Sequence, residues 1–146
     1  MLDEASDDIK SAMVLDPENP TYPAALALLE TERGDYRRAL ALYSVAIDLD
    51  DDWTHPWIWR GRSYQHIGDY ESAMSDYDMA ISLGEDGHIY YLRGSLYADQ
   101  GYFRQALEDY DLAIDDEPNE PVYHALKGKM HEGLGETEPA FEAYRQ

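Results

Sequence analysis

The feature that most restricts this chain is that it resembles itself at a nearly fixed interval. Gly34, Gly68, Gly101 and Gly135 stand 34, 33 and 34 residues apart. Ala39, Ala73, Ala106 and Ala140 keep the same intervals, and so do Tyr43, Tyr77, Tyr110 and Tyr144. Ala27, Gly61, Gly94 and Gly128 form a further row, and Ala46, Ala80 and Ala113 a shorter one. A period of this length means that one supersecondary unit recurs and buries its apolar side against its neighbours. The single shorter interval places a missing residue between Ala80 and Gly94. The loop Leu83-Gly84-Glu85-Asp86-Gly87 is where such a slip belongs, because loops tolerate length changes.

Residues 87–120 show what one unit contains. Gly94 sits three before Tyr97, Gly101 breaks the pattern, and Ala106, Tyr110 and Ala113 follow at spacings of four and three before Pro118. Each series draws one stripe on a helix, so the unit reads as helix, tight turn, helix, stop. Alanine and glycine let two helix backbones approach, while tyrosine fills the space beside them. A bulky residue at Gly61 or Gly94 is expected to overpack that crossing.

On these residues the unit resembles a tetratricopeptide repeat. The family pattern of Trp, Leu-Gly, Tyr, Ala, an aromatic and Pro over about 34 residues is met by Trp57, Gly61, Tyr64, Ala73, Tyr77 and Ala80. The next copy supplies Tyr90, Gly94, Tyr97, Ala106, Tyr110, Ala113 and Pro118. Glu30 and His131 replace the tyrosine, and Asp51 and Glu85 the proline, so looser packing is expected there. The resemblance implies an all-α fold, a right-handed α-solenoid of antiparallel helix pairs, over a single array spanning 1–146. Its expected divisions are the second helix of a truncated repeat at 1–19, repeats at 20–53, 54–86 and 87–120, and a partial repeat at 121–146. Ala5, Ile9, Ala12 and Pro17 occupy the offsets of Ala106, Tyr110, Ala113 and Pro118, which makes 3–17 a second helix without its first. The last helix is expected to begin at Thr137-Glu138-Pro139, with Thr137 as cap and Pro139 in the first turn. Neither end shows a polar capping face. The expectation is a piece of a longer array that self-associates through its uncapped terminal helices.

Charge narrows the partners. The chain carries a formal net charge of −20, with Asp exceeding Glu by 18 to 13 and Arg exceeding Lys by 8 to 3. Binding phosphate backbones needs Lys and Arg to displace counterions, so nucleic acid is not an expected partner. Anionic membranes are disfavoured for the same reason. The acidity fits either high-salt adaptation or a basic partner. No run approaches the ~20 apolar residues that cross a bilayer, and no secretory signal is apparent; a cytoplasmic location is expected. The absence of cysteine excludes disulfides and thiolate metal sites.

Next to the small-residue row stand Leu26, Arg60, Arg93 and Lys127. The segments DYDMAI and DYDLAI place Asp76, Asp78, Asp109 and Asp111 on either side of the packed tyrosine, so Arg60 and Arg93 are expected to pair with these acids inside each hairpin. Lys127 would instead meet Ala143 and Arg145.

The resemblance assigns function to the concave surface formed by the first helix of each unit. It draws there Thr21, Ala24, Leu28, Thr31 and Glu32, then Gln65, Ala98, Asp99, Val122, Ala125 and Glu132. The partner-binding candidates are His55, Ile58, Arg62, His66, His88, Tyr91, Ser95 and Lys129. Arg62 and Lys129 suit a partner carboxylate, Tyr91 and Ile58 an apolar side chain. The alternative is that the two bases are solvated or pair with Asp99 and Glu132 nearby. Ala24, Leu28, Trp59, His88 and Leu92 fall on the slots of the chaperone-tail carboxylate clamp, and they do not reproduce it.

No catalytic residue, cofactor or metal site is expected. There is no glycine-rich phosphate loop or nucleophile motif. The run Asp48-Leu49-Asp50-Asp51-Asp52 has Trp53 and Trp59 where a calcium loop needs glycine and glutamate. His55 and His66 share a helix face but stand ~16 Å apart along it, too far to chelate one metal. The chain therefore reads as a non-enzymatic interaction module or scaffold holding a protein, as an extended peptide or a helix. The alternative is a self-associating structural array without a separate peptide ligand.

Overall fold

The computed structural model describes residues 2–84 and 86–145; Glu85, called above at a proline slot, lies outside them. Among the described residues every regular element is an α-helix. Two compact units divide the chain, residues 1–83 and 84–146. The first holds α1 (Leu2–Leu15), α2 (Thr21–Glu32), α3 (Tyr36–Leu49), α4 (Thr54–Ile67) and α5 (Tyr70–Leu83). The second holds α6 (Gly87–Asp99), α7 (Phe103–Asp116), α8 (Pro121–Gly133) and α9 (Thr137–Ala143). Within each unit every helix packs on the next in sequence.

The tight turns follow from the glycine row. Gly34, Gly68, Gly101 and Gly135 all have φ between 76° and 81°, a left-handed conformation that a Cβ would strain. At Gly68 the glycine N–H donates to the Gln65 carbonyl and the Asp69 N–H to that of Tyr64, each at 3.0 Å, which closes the last turn of α4. The same pair of bonds recurs at the other three turns. Asp35 then caps α3 by accepting from the Arg38 N–H at 3.2 Å, and Asp69 accepts from that of Ser72. At the last turn Glu136, not Thr137, is the N-cap residue; Thr137 is already helical.

The crossings are close-packed. A Cβ added at Gly61 would lie 2.8 Å from Cε1 of Tyr77, and one at Gly94 2.9 Å from Cε1 of Tyr110. In the first pair Ala27 meets Tyr43, with Ala39 completing the cluster. Tyr43, Tyr77 and Tyr110 are buried, yet each hydroxyl keeps a polar neighbour on the helix it packs against. Tyr77 donates to Gln65 Oε1 at 3.0 Å, Tyr43 lies 3.4 Å from Thr31 Oγ1, and Tyr110 3.3 Å from Ser95 Oγ.

Beside the crossings at Gly61 and Gly94 runs an ion pair. Arg60 donates through Nε and Nη2 to both oxygens of Asp76, at 2.9 and 2.8 Å, and Arg93 does the same to Asp109 at 2.9 and 2.7 Å. Both carboxylates are buried. Burial pushes the Asp76 carboxyl above its ordinary value, and the bonds and charge of Arg60 pull it back down. Arg60 also donates through Nη1 to Ser44 of α3 at 2.9 Å. Lys127, expected to meet Ala143 and Arg145, turns instead to Asp111 of α7. Arg60 thus reaches the preceding helix as well as its own hairpin partner, and Lys127 reaches the preceding helix.

Two slots expected to pack loosely are closed by polar partners. Glu30 is buried and accepts from Arg33 at 3.0 Å, while Arg33 also donates to Asp3 at 2.6 Å. His131 lies 2.7 Å from Glu136 through Nδ1. On α1, Ala5, Ile9 and Ala12 are half-buried, and the helix packs on α2.

Two substitutions test this packing. Gly94→Leu should lose about 1–3 kcal/mol in urea denaturation, whereas Gly84→Ala, whose added Cβ meets nothing within 4 Å, should change little. Equal effects at both positions would contradict the close approach. Asp109→Ala should cost about 3 kcal/mol, because it strands Arg93 without its carboxylate.

Candidate functional site

The partner-binding candidates divide between the two units. In unit 1, α4 carries His55, Ile58, Arg62 and His66; in unit 2, α6 carries His88, Tyr91 and Ser95, and α8 carries Lys129.

Unit 1 has a cavity of about 310 Å³ bounded by α2, α3 and α4. Leu28, Tyr43 and Trp59 supply apolar wall, and Arg62, His66, Thr31 and Glu32 supply polar rim. The local fold explains each placement. Residues 59, 62, 63 and 66 follow at the three- and four-residue steps that put one face of a helix together. Ser63 is buried and turns its hydroxyl back to the Trp59 carbonyl at 2.9 Å, so it lines the cavity without offering a free donor. His66 is stacked on Tyr36, with ring centres 5.1 Å apart. Trp59 stands at the centre of an aromatic group, 6.0 Å from Tyr43, 6.0 Å from Trp53 and 5.4 Å from His55.

Arg62 differs from its neighbours. It is exposed, and among the described residues no carboxylate lies within ion-pair distance of it. Its charge is felt at Tyr43, where burial raises the hydroxyl pKa while the Thr31 hydrogen bond and Arg62 act against that rise. The cavity therefore offers an available guanidinium above an aromatic and aliphatic wall, an arrangement able to take an acidic group attached to an apolar one.

Not every expected residue joins it. Ile58 is half-buried and is not among the lining residues. Gln65 is committed to Tyr77, and Ala24 is buried. Trp59, Tyr43 and Ser63 were not among the sequence-level candidates; the step of three and four from Arg62 and His66 could have drawn in Trp59 and Ser63, but Tyr43 belongs to another helix.

In unit 2, Tyr91 lies between His88 and Tyr123, with ring centres at 5.6 and 5.3 Å. It also packs on the core formed by Ala106, Tyr110 and Met130, so its ring is partly structural. Ser95 donates to the Tyr91 carbonyl at 2.9 Å beside the Tyr110 hydroxyl. Lys129 is exposed and, among the described residues, has no ion-pair partner. Asp86, Asp116 and Glu117 gather their carboxylates within 4.8 Å of one another, all exposed. No helix among the described residues is long and apolar enough to cross a membrane.

A profile of the tetratricopeptide repeat family matches residues 54–85 and 87–119. No curated protein sequence matches the chain. Among solved structures, one of MamA is similar with 22% identity and a TM-score of 0.91, covering 99% of this chain and 85% of that one. MamA from Desulfovibrio magneticus RS-1 is similar with 21% identity and a TM-score of 0.90, covering 99% and 82%. PilF of Pseudomonas aeruginosa gives 20% identity and a TM-score of 0.90, covering 99% and 66%. At these identities the likeness shows the fold, an all-α repeat of antiparallel helix pairs.

Tyr123 yields a pH prediction. It is 3% exposed, and burial, with Glu117, Glu120 and Asp86 adding to it, pushes its pKa up to about 12. The folded state holds this proton more tightly than the unfolded chain, whose tyrosines titrate near 10. The contribution is complete below about pH 10 and is lost as pH rises toward about 12. Urea denaturation of Tyr123→Phe should therefore show a shallower alkaline loss of stability than the native chain; parallel curves would contradict the assignment.

Proposed function

Because a tetratricopeptide-repeat profile matches residues 54–85 and 87–119, and members of that family generally serve protein–protein interaction, we propose that this chain is a non-enzymatic interaction module that holds a peptide or helix of a partner. The observation that carries this reading is Arg62, exposed and, among the described residues, without an ion-pair partner beside the cavity walled by Leu28, Tyr43 and Trp59. A partner segment places an apolar side chain against Trp59 and a neighbouring carboxylate on Arg62, with His55, Ile58 and His66 flanking it. His88, Tyr91, Ser95 and Lys129 form the contact surface of the second unit. An exposed base binds such a carboxylate by exchanging water for it, with no internal ion pair to break. The same reading gives the chain no cofactor, nucleic-acid or membrane partner.

A second reading, association with copies of itself, is favoured by Val14 and Leu15, exposed at 82% and 87%, and by Phe141 at 67%. Sedimentation across a dilution series separates the two, because self-association changes mass with concentration and peptide binding does not.

A peptide-array screen with purified protein, followed by anisotropy titration of the hits, tests the first reading. Binders should carry an acidic residue next to an apolar one. Arg62→Ala should weaken them about tenfold, equivalent to about 1.4 kcal/mol, while leaving the unfolding midpoint unchanged. Binders that are indifferent to Arg62, or no binders at all, would overturn it.

A further inference from the structure

The chain contains its own control for one surface of unit 2. On α4, Trp57, Arg60 and Tyr64 occupy three successive turns of one face, and 67 residues later His124, Lys127 and His131 occupy the same positions on α8. In unit 1 this slot is filled. The Arg60 guanidinium lies 4.9 Å from the Trp57 ring centre and 6.0 Å from that of Tyr64, and it grips Asp76 with two hydrogen bonds.

In unit 2 each part of the slot is smaller. Two imidazoles replace the indole and the phenol, an ammonium replaces the guanidinium, and Ala143 stands at the position of Asp76. A cavity of about 440 Å³ results, lined by His124, Lys127, His131 and Ala143, with Ile114 and Pro139 supplying apolar wall. Compared with α4 and α5, the slot on α8 and α9 has no carboxylate at the position of Asp76 and no indole or phenol at those of Trp57 and Tyr64.

We propose that this cavity binds a ligand carboxylate attached to an aromatic or aliphatic body, the carboxylate taking the place that Asp76 holds in unit 1. Lys127 is its first contact. An ammonium has three protons to donate, and the Asp111 carboxylate, reached from the side where Arg60 meets Ser44, accounts for one. That ion pair is 54% exposed on the Asp111 side chain, so it holds Lys127 only weakly. His124 donates Nε2–H to the Pro118 carbonyl at 2.9 Å, and His131 donates Nδ1–H to Glu136 at 2.7 Å. The remaining nitrogen of each ring donates only in the imidazolium form. The acids beside the cavity are Asp111 on α7, paired with Lys127, Glu136 before α9, paired with His131, and Glu142 on α9, which is part of its lining.

The test is a nuclear magnetic resonance titration of the full chain, reading the imidazole signals of His124 and His131. The probes are acetate, 3-phenylpropionate, and a short peptide ending in phenylalanine as free acid or as amide. Both histidines should shift saturably with 3-phenylpropionate and less with acetate. Ala143→Asp, which supplies the missing carboxylate internally, should weaken binding at least about tenfold while melting no lower than the native chain. Lys127→Met should weaken it similarly and keeps the test decisive if Ala143→Asp does not fold. Tighter binding of the free-acid peptide than of either small acid, with the amide inert, identifies a polypeptide carboxylate as the source; binding of the small acids alone identifies a free carboxylic acid. No saturable shift with any probe, or unchanged shifts in both variants, would overturn the proposal.

Discussion

The structure depends on one steric condition, that the backbone of a first helix comes close enough to the second for a tyrosine ring to lie on it. At Gly61 and Gly94 the ring of Tyr77 or Tyr110 occupies the space a Cβ would need. The ion pairs are consequences of that contact. Arg60 precedes Gly61 by one residue and Asp76 precedes Tyr77 by one, so the rotation that seats the ring also brings guanidinium and carboxylate together. The same relation holds for Arg93, Gly94, Asp109 and Tyr110. A buried pair of this kind stabilises little beyond what an apolar pair would, since desolvating both charges offsets most of their attraction. It contributes register: Asp76 meets both donors of Arg60 in one relative position of α4 and α5.

This explains which parts of the molecule were legible in the sequence. The rows of glycine, alanine and tyrosine record a contact made within one helix pair, at constant offsets, and therefore repeat visibly. The partner of Arg60 was legible only as either Asp76 or Asp78. Residues on either side of the tyrosine point in nearly opposite directions around a helix, and the string Asp-Tyr-Asp is symmetric, so only the crossing distinguishes them. Lys127 was misread because its partner, Asp111, belongs to the preceding pair, and an offset inside one hairpin cannot reveal it. Thr137 was misread as a cap because its residue type suits the position, whereas the turn bonds that start at Gly135 put Glu136 there. The candidate cavity was half legible. Arg62 and His66 follow from the face of α4, but Tyr43 was counted only as core, and its ring edge becomes wall only when α3 is set beside α4.

Where the acids lie gives Arg62 its significance. The chain has 31 acidic and 11 basic residues, so a base on its surface readily meets a carboxylate. Lys10 is on Asp7, Arg33 on Asp3 and Glu30, Arg38 on Asp35, Arg104 on Glu136 and Lys127 on Asp111. Among the described residues three acids are buried, Glu30, Asp76 and Asp109, and each faces an arginine. Against that background an arginine without a carboxylate is conspicuous. Among the described residues Arg37, Lys129 and Arg145 share the condition, but of these four bases it is Arg62 that lines a cavity walled by Leu28, Tyr43 and Trp59. An acidic group arriving there exchanges water for a guanidinium beside a low-polarity wall, where the attraction is less screened than on open surface. The strong negative charge elsewhere slows approach of an acidic segment, so recognition has to come from short-range fit at Arg62 and Trp59, not from long-range steering.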